Sequence, residues 1–191
     1  STMKKYRILP YNKWVEEDEL SMMMEFQEYK FLVLLQTQIN KEAIMAITTN
    51  AICDSFKKEL LQGKHDFDTS SDTYKLAMFT SSATLGKSTT NYTTPNEVSS
   101  PNYSAGGKAL VNQGVKVSSS VAITDFADLS FQNVTLTARG ALIYNTTTDG
   151  GSNTTDAVAV LDFGGDKTAT AGTFTIQLPA FTTSAAILRL A

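Results

Sequence analysis

The feature that most constrains this chain is a break in composition near residue 66. Residues 1–66 carry 19 charged side chains, 9 basic and 10 acidic, whereas residues 67–191 carry only 16, 7 basic and 9 acidic. Serine and threonine run the other way, with 7 before the break and 36 after it, and 10 of the 11 glycines lie after it. Sequence rich in Glu, Lys, Met and Leu favours helix, and sequence rich in Thr, Gly and β-branched residues favours strands and turns. The chain is therefore read as an N-terminal helical arm, residues 1–66, followed by an all-β domain, residues 67–191. At 191 residues it is long enough to bury a core without a disulfide or metal staple.

The pattern predicts two N-terminal α-helices. The first spans Val15 to Ile39. Glu16, Glu17, Asp18 and Glu19 are acids suited to the positive end of a helix dipole. Leu20, Met23, Met24, Phe31, Leu34 and Leu35 form one apolar stripe, and Met22, Phe26, Tyr29 and Val33 form a second. Two stripes need apolar partners on two sides, which is the reason for expecting the arm to touch another chain as well as its own. The second helix spans Asn50 to Gln62, with Ile52, Phe56 and Leu60 at i, i+4 and i+8. Thr48, Thr49 and Asn50 are its cap candidates, and Gly63 is placed for a left-handed C-terminal cap.

From Asp72 the apolar period switches to two. Strands are expected at 74–78, 109–111, 115–117, 121–126, 129–131, 134–137, 141–144, 157–163, 172–178 and 185–190. Turns are expected at Asn112-Gln113-Gly114, at Asp149 to Asn153 and at Gly164-Gly165-Asp166. Many short strands at this spacing predict a mainly β fold, an antiparallel β-sandwich of jelly-roll-like or immunoglobulin-like type. Ser81 to Lys108 is rich in Thr, Asn and Ser and holds Pro95 and Pro101. A structureless loop of that length in a compact domain is usually functional or ordered by a partner.

Composition excludes several classes of function. A net charge of −3 and a pI of about 5.2 argue against sequence-independent nucleic-acid binding. One cysteine, Cys53, excludes an intrachain disulfide framework and a cysteine zinc cluster, and one histidine, His65, removes most histidine chemistry. The longest apolar run, Phe31 to Leu35, is far short of a membrane span, and no secretory leader is visible at Ser1 to Lys5. Gly86-Lys87-Ser88-Thr89 imitates the end of a phosphate-binding loop. However, Ser81 stands where the first glycine belongs, and Thr90 to Pro95 is poor helix.

Cys53 and His65 have no local reason to meet, and His65 reads as a solvated loop residue. Asp125, Asp128, Asp156 and Asp162 near strand ends are the remaining acid–base candidates. Asp149 to Asp156 is a loose oxygen-rich loop without the register of a calcium hand, and reads as a hairpin tip. The Asn-x-Ser/Thr triplets at Asn91, Asn102, Asn133, Asn145 and Asn153 are expected by chance in so Thr-rich a chain. Tyr92 and Tyr103, in the long loop, are candidates for stacking on a sugar or a neighbouring protein. The residue set predicts no catalytic site, cofactor or metal.

Four stretches carry a further signal: Asp72 to Ser81 (DTYKLAMFTS), Tyr103 to Gly107 (YSAGG), Ala138 to Asn145 (ARGALIYN) and Ala157 to Gly164 (AVAVLDFG). With them the chain, from about residue 45 onward, resembles small virion structural proteins of tailed bacteriophages, of the head-decoration or minor structural type. Residues 1–44 lie outside the resemblance. The likeness implies a non-enzymatic virion protein made in the host cytoplasm, first of all a capsid decoration or cement subunit. The alternative is a tail, collar or baseplate component that binds a host receptor or glycan. Its expected partners are the major capsid protein or other virion proteins and further copies of itself, with a trimer favoured; nucleic acid and membrane are not among them. The residues expected to meet those partners are Trp14, Met22, Phe26, Tyr29, Val33, Tyr92 and Tyr103.

Overall fold

A computed structural model describes the backbone of residues 5–8 and 13–16, and residues 47–147 and 153–191 in full. The chain divides into two compact units, Ser1–Met45 and Ala46–Ala191. The division falls well before the compositional break, so the helix near residue 56 belongs to the same unit as the sheets.

In the first unit, β1 (Lys5–Ile8) pairs antiparallel with β2 (Lys13–Glu16), Tyr6 opposite Val15 and Arg7 opposite Trp14. Val15 and Glu16, expected to open the first helix, are therefore in a strand. Tyr, Ile, Trp and Val are strand formers, and they outweigh the acid that ends the run. The remainder of that expected helix, with Met22, Phe26, Tyr29 and Val33, lies outside the described residues.

In the second unit the expected second helix is present but starts later, as α1 (Asp54–Leu61). Ala51–Ile52 form the short strand β3 instead, opposite Val160 and Ala159 of β9 (Ala157–Ile176), and Cys53 N–H continues the ladder to Val158 O at 3.0 Å. Sheet pairing thus holds the chain extended through Cys53, and the helix begins after it. Asp54 sits in the first turn and Lys58 in the last, each at the favourable end of the dipole. Gly63 closes the helix as expected: its φ is 71°, its N–H reaches Leu60 O at 3.1 Å, and Lys64 N–H reaches Glu59 O at 3.0 Å.

The rest of the unit is mainly β, in two antiparallel sheets. The five-stranded sheet has the order β3-β9-β8-β4-β5, where β4 is Tyr74–Phe79, β5 is Lys108–Ala109 and β8 is Leu129–Asn145. The three-stranded sheet has the order β10-β7-β6, with β6 Asn112–Ser118, β7 Val121–Phe126 and β10 Leu188–Leu190. No parallel pair occurs among the described strands.

Three expected short strands merge into β8 and two into β9. The reason is that Gly164-Gly165-Asp166 is no turn. Ala138 faces Lys167 and Gly140 faces Asp162, so β9 bulges outward between 162 and 167 and then resumes its pairing. Asn112-Gln113-Gly114 likewise sits at a register shift within β6.

The core is centred on β4, β8 and β9. Leu76, Ala77, Met78 and Phe79 are all buried, as are Leu142, Ile143, Val158 and Val160. An aromatic group joins this sheet to its surroundings: Phe67 stacks on Tyr74 at 4.7 Å, and Phe126 of β7 lies 5.4 Å from Tyr74.

Gly107 marks the tightest backbone approach in this core. It has φ 73°, and a Cβ there would lie 1.8 Å from Leu76 O on β4. Gly63 has a similar φ with nothing within 4 Å. Replacing Gly63 by Ala is expected to cost about 1 kcal/mol, from φ alone. Replacing Gly107 by Ala is expected to cost about 3 kcal/mol or more, because the chain must also move off β4. Denaturant unfolding of the two variants measures the difference.

Candidate functional site

The long segment between β4 and β5 contains the expected partner-facing tyrosines, and it is irregular but tied down. It takes the place of a strand beside the outer half of β4. Val98 N–H donates to Met78 O at 3.0 Å, and Thr80 N–H donates to Asn96 O at 2.9 Å. Met78 N–H donates to the Tyr103 hydroxyl at 2.9 Å. A strand edge that would otherwise lie open is covered in this way.

Glu97 is the hub of this segment. Its Oε1 accepts from Tyr103 Oη at 2.7 Å and from Gly106 N–H at 2.8 Å, and its Oε2 accepts from Tyr92 Oη at 2.6 Å. The Tyr144 hydroxyl of β8 donates to Gly106 O at 2.6 Å, and its ring stacks on Tyr92 at 4.6 Å. Tyr103 is itself buried, 5.3 Å from the Phe131 ring. The expectation that Tyr103 presents a stacking face to a partner is therefore corrected. Tyr92 is half-buried, with its ring on Tyr144 and its hydroxyl on Glu97. Trp14 lies in β2, and the other four predicted partner residues fall outside the described residues.

A second polar network lies under α1. His65, expected in solvent, is buried. Asn145 Nδ2 donates to Asp72 Oδ2 at 2.6 Å, and Asn145 Oδ1 accepts from Thr147 N–H at 2.8 Å, which fixes the amide orientation. The same Nδ2 lies 3.1 Å from His65 Nδ1, so Nδ1 accepts, and Nε2 donates to Glu59 Oε2 at 2.9 Å. The Phe56 ring packs 4.9 Å from the imidazole. Sequence reasoning missed this because Glu59 and Asn145 flank a histidine whose near neighbours, Lys64 and Asp66, are polar.

These groups are held by neighbours. Both nitrogens of His65 are engaged. Cys53 is buried, and that burial, reinforced by Asp54 and Glu59, pushes its thiol up to about 12, far from thiolate at neutral pH. Of the acid candidates, Asp156 accepts from Asn91 Nδ2 at 3.2 Å and from Asn153 N–H at 2.9 Å, while residues 149–152 of the oxygen-rich loop and expected turn lie outside the described residues. Among the described residues no three His, Cys, Asp or Glu side chains gather as metal ligands, and no helix is long and apolar enough to cross a membrane.

An open groove of about 1130 Å³ runs along β9, with Ile52, Phe163, Phe174, Leu178 and Ile187 among its lining. No family model, curated protein or solved structure matches the chain.

The Glu97 hub has measurable consequences. Tyr103→Phe leaves Met78 N–H buried without its acceptor and removes one donor from Glu97. The expected loss is about 1–3 kcal/mol in denaturant unfolding, against a smaller loss for Tyr92→Phe. Alkali supplies a second test. Burial, then Glu97, holds the Tyr144 phenol up to about 12, and Tyr92, Tyr103 and Tyr74 are also raised.

A raised folded-state value means that the unfolded chain releases its protons first. The stability is then complete below an ordinary tyrosine value of about 10 and is lost as pH climbs through the folded-state values. Phenolate absorbance is expected to stay low for these tyrosines from about pH 10 to 12 and to rise together with the loss of β-sheet circular dichroism.

Proposed function

We propose that the chain is a structural protein of a phage virion, a decoration or cement subunit attached to the capsid. The observation that carries the reading is the treatment of polar groups in Ala46–Ala191. Glu97, Tyr92, Tyr103, Asp72 and the single imidazole are engaged in holding loops to the sheet and helix beside them. This suits a rigid assembly part and leaves little for chemistry on a substrate. We read the two sheets as the layers of a β-sandwich, a reading supported by the Phe126–Tyr74 ring contact between them and the strands' antiparallel order. Its partners on this reading are the major capsid protein and further copies of the chain, with a trimer favoured. The arm of residues 1–44, including Trp14 and the stripe Met22, Phe26, Tyr29 and Val33, supplies the attachment.

The test is to purify particles that carry the gene and locate the chain by cryo-electron microscopy. Density on the head lattice is the expected result. Density on the tail or baseplate favours the receptor-binding alternative, and absence of the chain from particles overturns both. A deletion of residues 1–44 is expected to leave the β unit folded by circular dichroism while lowering its occupancy on particles. Full occupancy of the truncated protein would remove the arm from the account.

A further inference from the structure

Among the described residues five large apolar side chains stand exposed: Leu61, Val111, Val115, Val117 and Leu190. Leu61 ends α1, and the other four lie on or beside the three-stranded sheet. Their register matters. Val117 faces Ala122, which faces Leu190, and Val115 faces Thr124, which faces Leu188. Cross-strand partners share a face, so these residues form two adjoining rows on one side of the sheet. At its inner end that side buries Thr124 and Phe126. At its outer end it runs on into solvent, with Val117 71% and Leu190 64% exposed.

The strand bearing the valines is also an edge strand, since among the described strands β6 pairs only with β7. Edge strands are commonly guarded by a charged side chain. The one charge in Asn112–Ser118 is Lys116, and it is turned onto its own chain. Its Nζ donates to Phe181 O at 2.8 Å and sits 3.9 Å above the Phe181 ring centroid. What remains is a strand edge whose one ammonium is held on its own chain, with valines at alternate positions.

We propose that β6 is a dimerisation edge, pairing antiparallel with β6 of a second copy about a twofold axis and extending the three-stranded sheet to six strands. Three observations select a second copy as the occupant. An antiparallel strand edge is complementary to itself under a twofold, because the rotation sets each donor against an acceptor. The edge offers no carboxylate for a basic partner, and its one ammonium is already held by Phe181 O, so an uncharged row of side chains is what a partner strand meets, and an identical row is at hand. The rotation also makes the apolar rows continuous, bringing Val115 and Val117 of one copy beside those of the other and removing their side chains from water. The contact is separate from the trimer favoured above, which rests on the arm of residues 1–44: a twofold at β6 doubles whatever assembly the arm makes, and it does not depend on where the protein is attached.

Sedimentation velocity and amide hydrogen exchange of the full chain, from low to high micromolar concentration, test this. Wild type is expected to double in mass with rising concentration, and the amides of Gln113–Ser118 to gain protection on the order of tenfold over the same range. The double variant Val115→Glu, Val117→Glu changes only exposed positions. It is expected to keep its circular dichroism and lose both the doubling and the protection. Leu61→Glu, at an equally exposed position outside the sheet, is expected to behave as wild type. A wild type without concentration-dependent protection of β6, a folded double variant that still doubles, or a Leu61→Glu variant that fails to double would each overturn the proposal.

Discussion

The rest of the structure depends on the pairing of β8 with β9. The ladder runs from Leu129 opposite Ile176 to Tyr144 opposite Ala157, and both β4 and β3 attach to its flanks. A ladder so long has a hazard, because a slip of one residue turns every side chain to the opposite face. The bulge between Asp162 and Lys167 works against that slip, since it pins two separately paired stretches to one register. Gly140 sits at the same place. A Cβ on it would meet Leu161 O at 2.3 Å and the Ile47 side chain at 2.9 Å, so only glycine lets the bulged strand and the incoming chain close over β8 there.

With the ladder fixed, the polar side chains settle the parts that have no regular structure. The segment from Thr80 to Gly107 has no apolar periodicity to position it, yet Glu97 draws two tyrosines and a backbone amide onto one carboxylate. Asp125 does similar work beside the other sheet. It is buried, which raises its carboxyl above the usual range, and it accepts from Phe126 N–H at 2.8 Å and Ile187 N–H at 3.3 Å. Carboxylates used in this way cost desolvation. They are offset by charge-assisted hydrogen bonds whose geometry admits few alternatives, so their main product is a unique loop conformation.

Which features were legible in the sequence follows from the range over which each is determined. β7 was readable to the residue, and β4 and Gly63 nearly so, because alternation and helix termination are local. The separate strands expected within β8 and β9 failed because glycines that signal a turn also permit a bulge, and the choice is made by the partner strand. The N-terminal limit of α1 failed for a related reason: Ala51 and Ile52 satisfy a helical stripe, but Val160 and Ala159 claim them for the sheet. At the candidate site, Tyr92 and Tyr103 stand out in the sequence as a pair, but nothing local to them shows that their hydroxyls turn inward. Glu97, the acid they bind, carries one signal in the sequence. It is the sole acidic residue between Ser81 and Lys108, and a lone carboxylate among hydroxyls and phenols is a natural collecting point for donors.

The same economy of charge bears on how the molecule meets others. Residues 67–191 carry only 16 charged side chains, 7 basic and 9 acidic, so long-range electrostatic steering is weak, and on the proposed reading recognition falls to shape, strand edges and apolar rows. Strand edges and apolar rows act only at contact and only in one register. They therefore need the surface that carries them to be already fixed before a partner arrives, or the ordering cost falls on the association itself. The hubs at Glu97 and His65 meet that requirement inside the folded chain, since a loop held by several hydrogen bonds has little freedom left to lose.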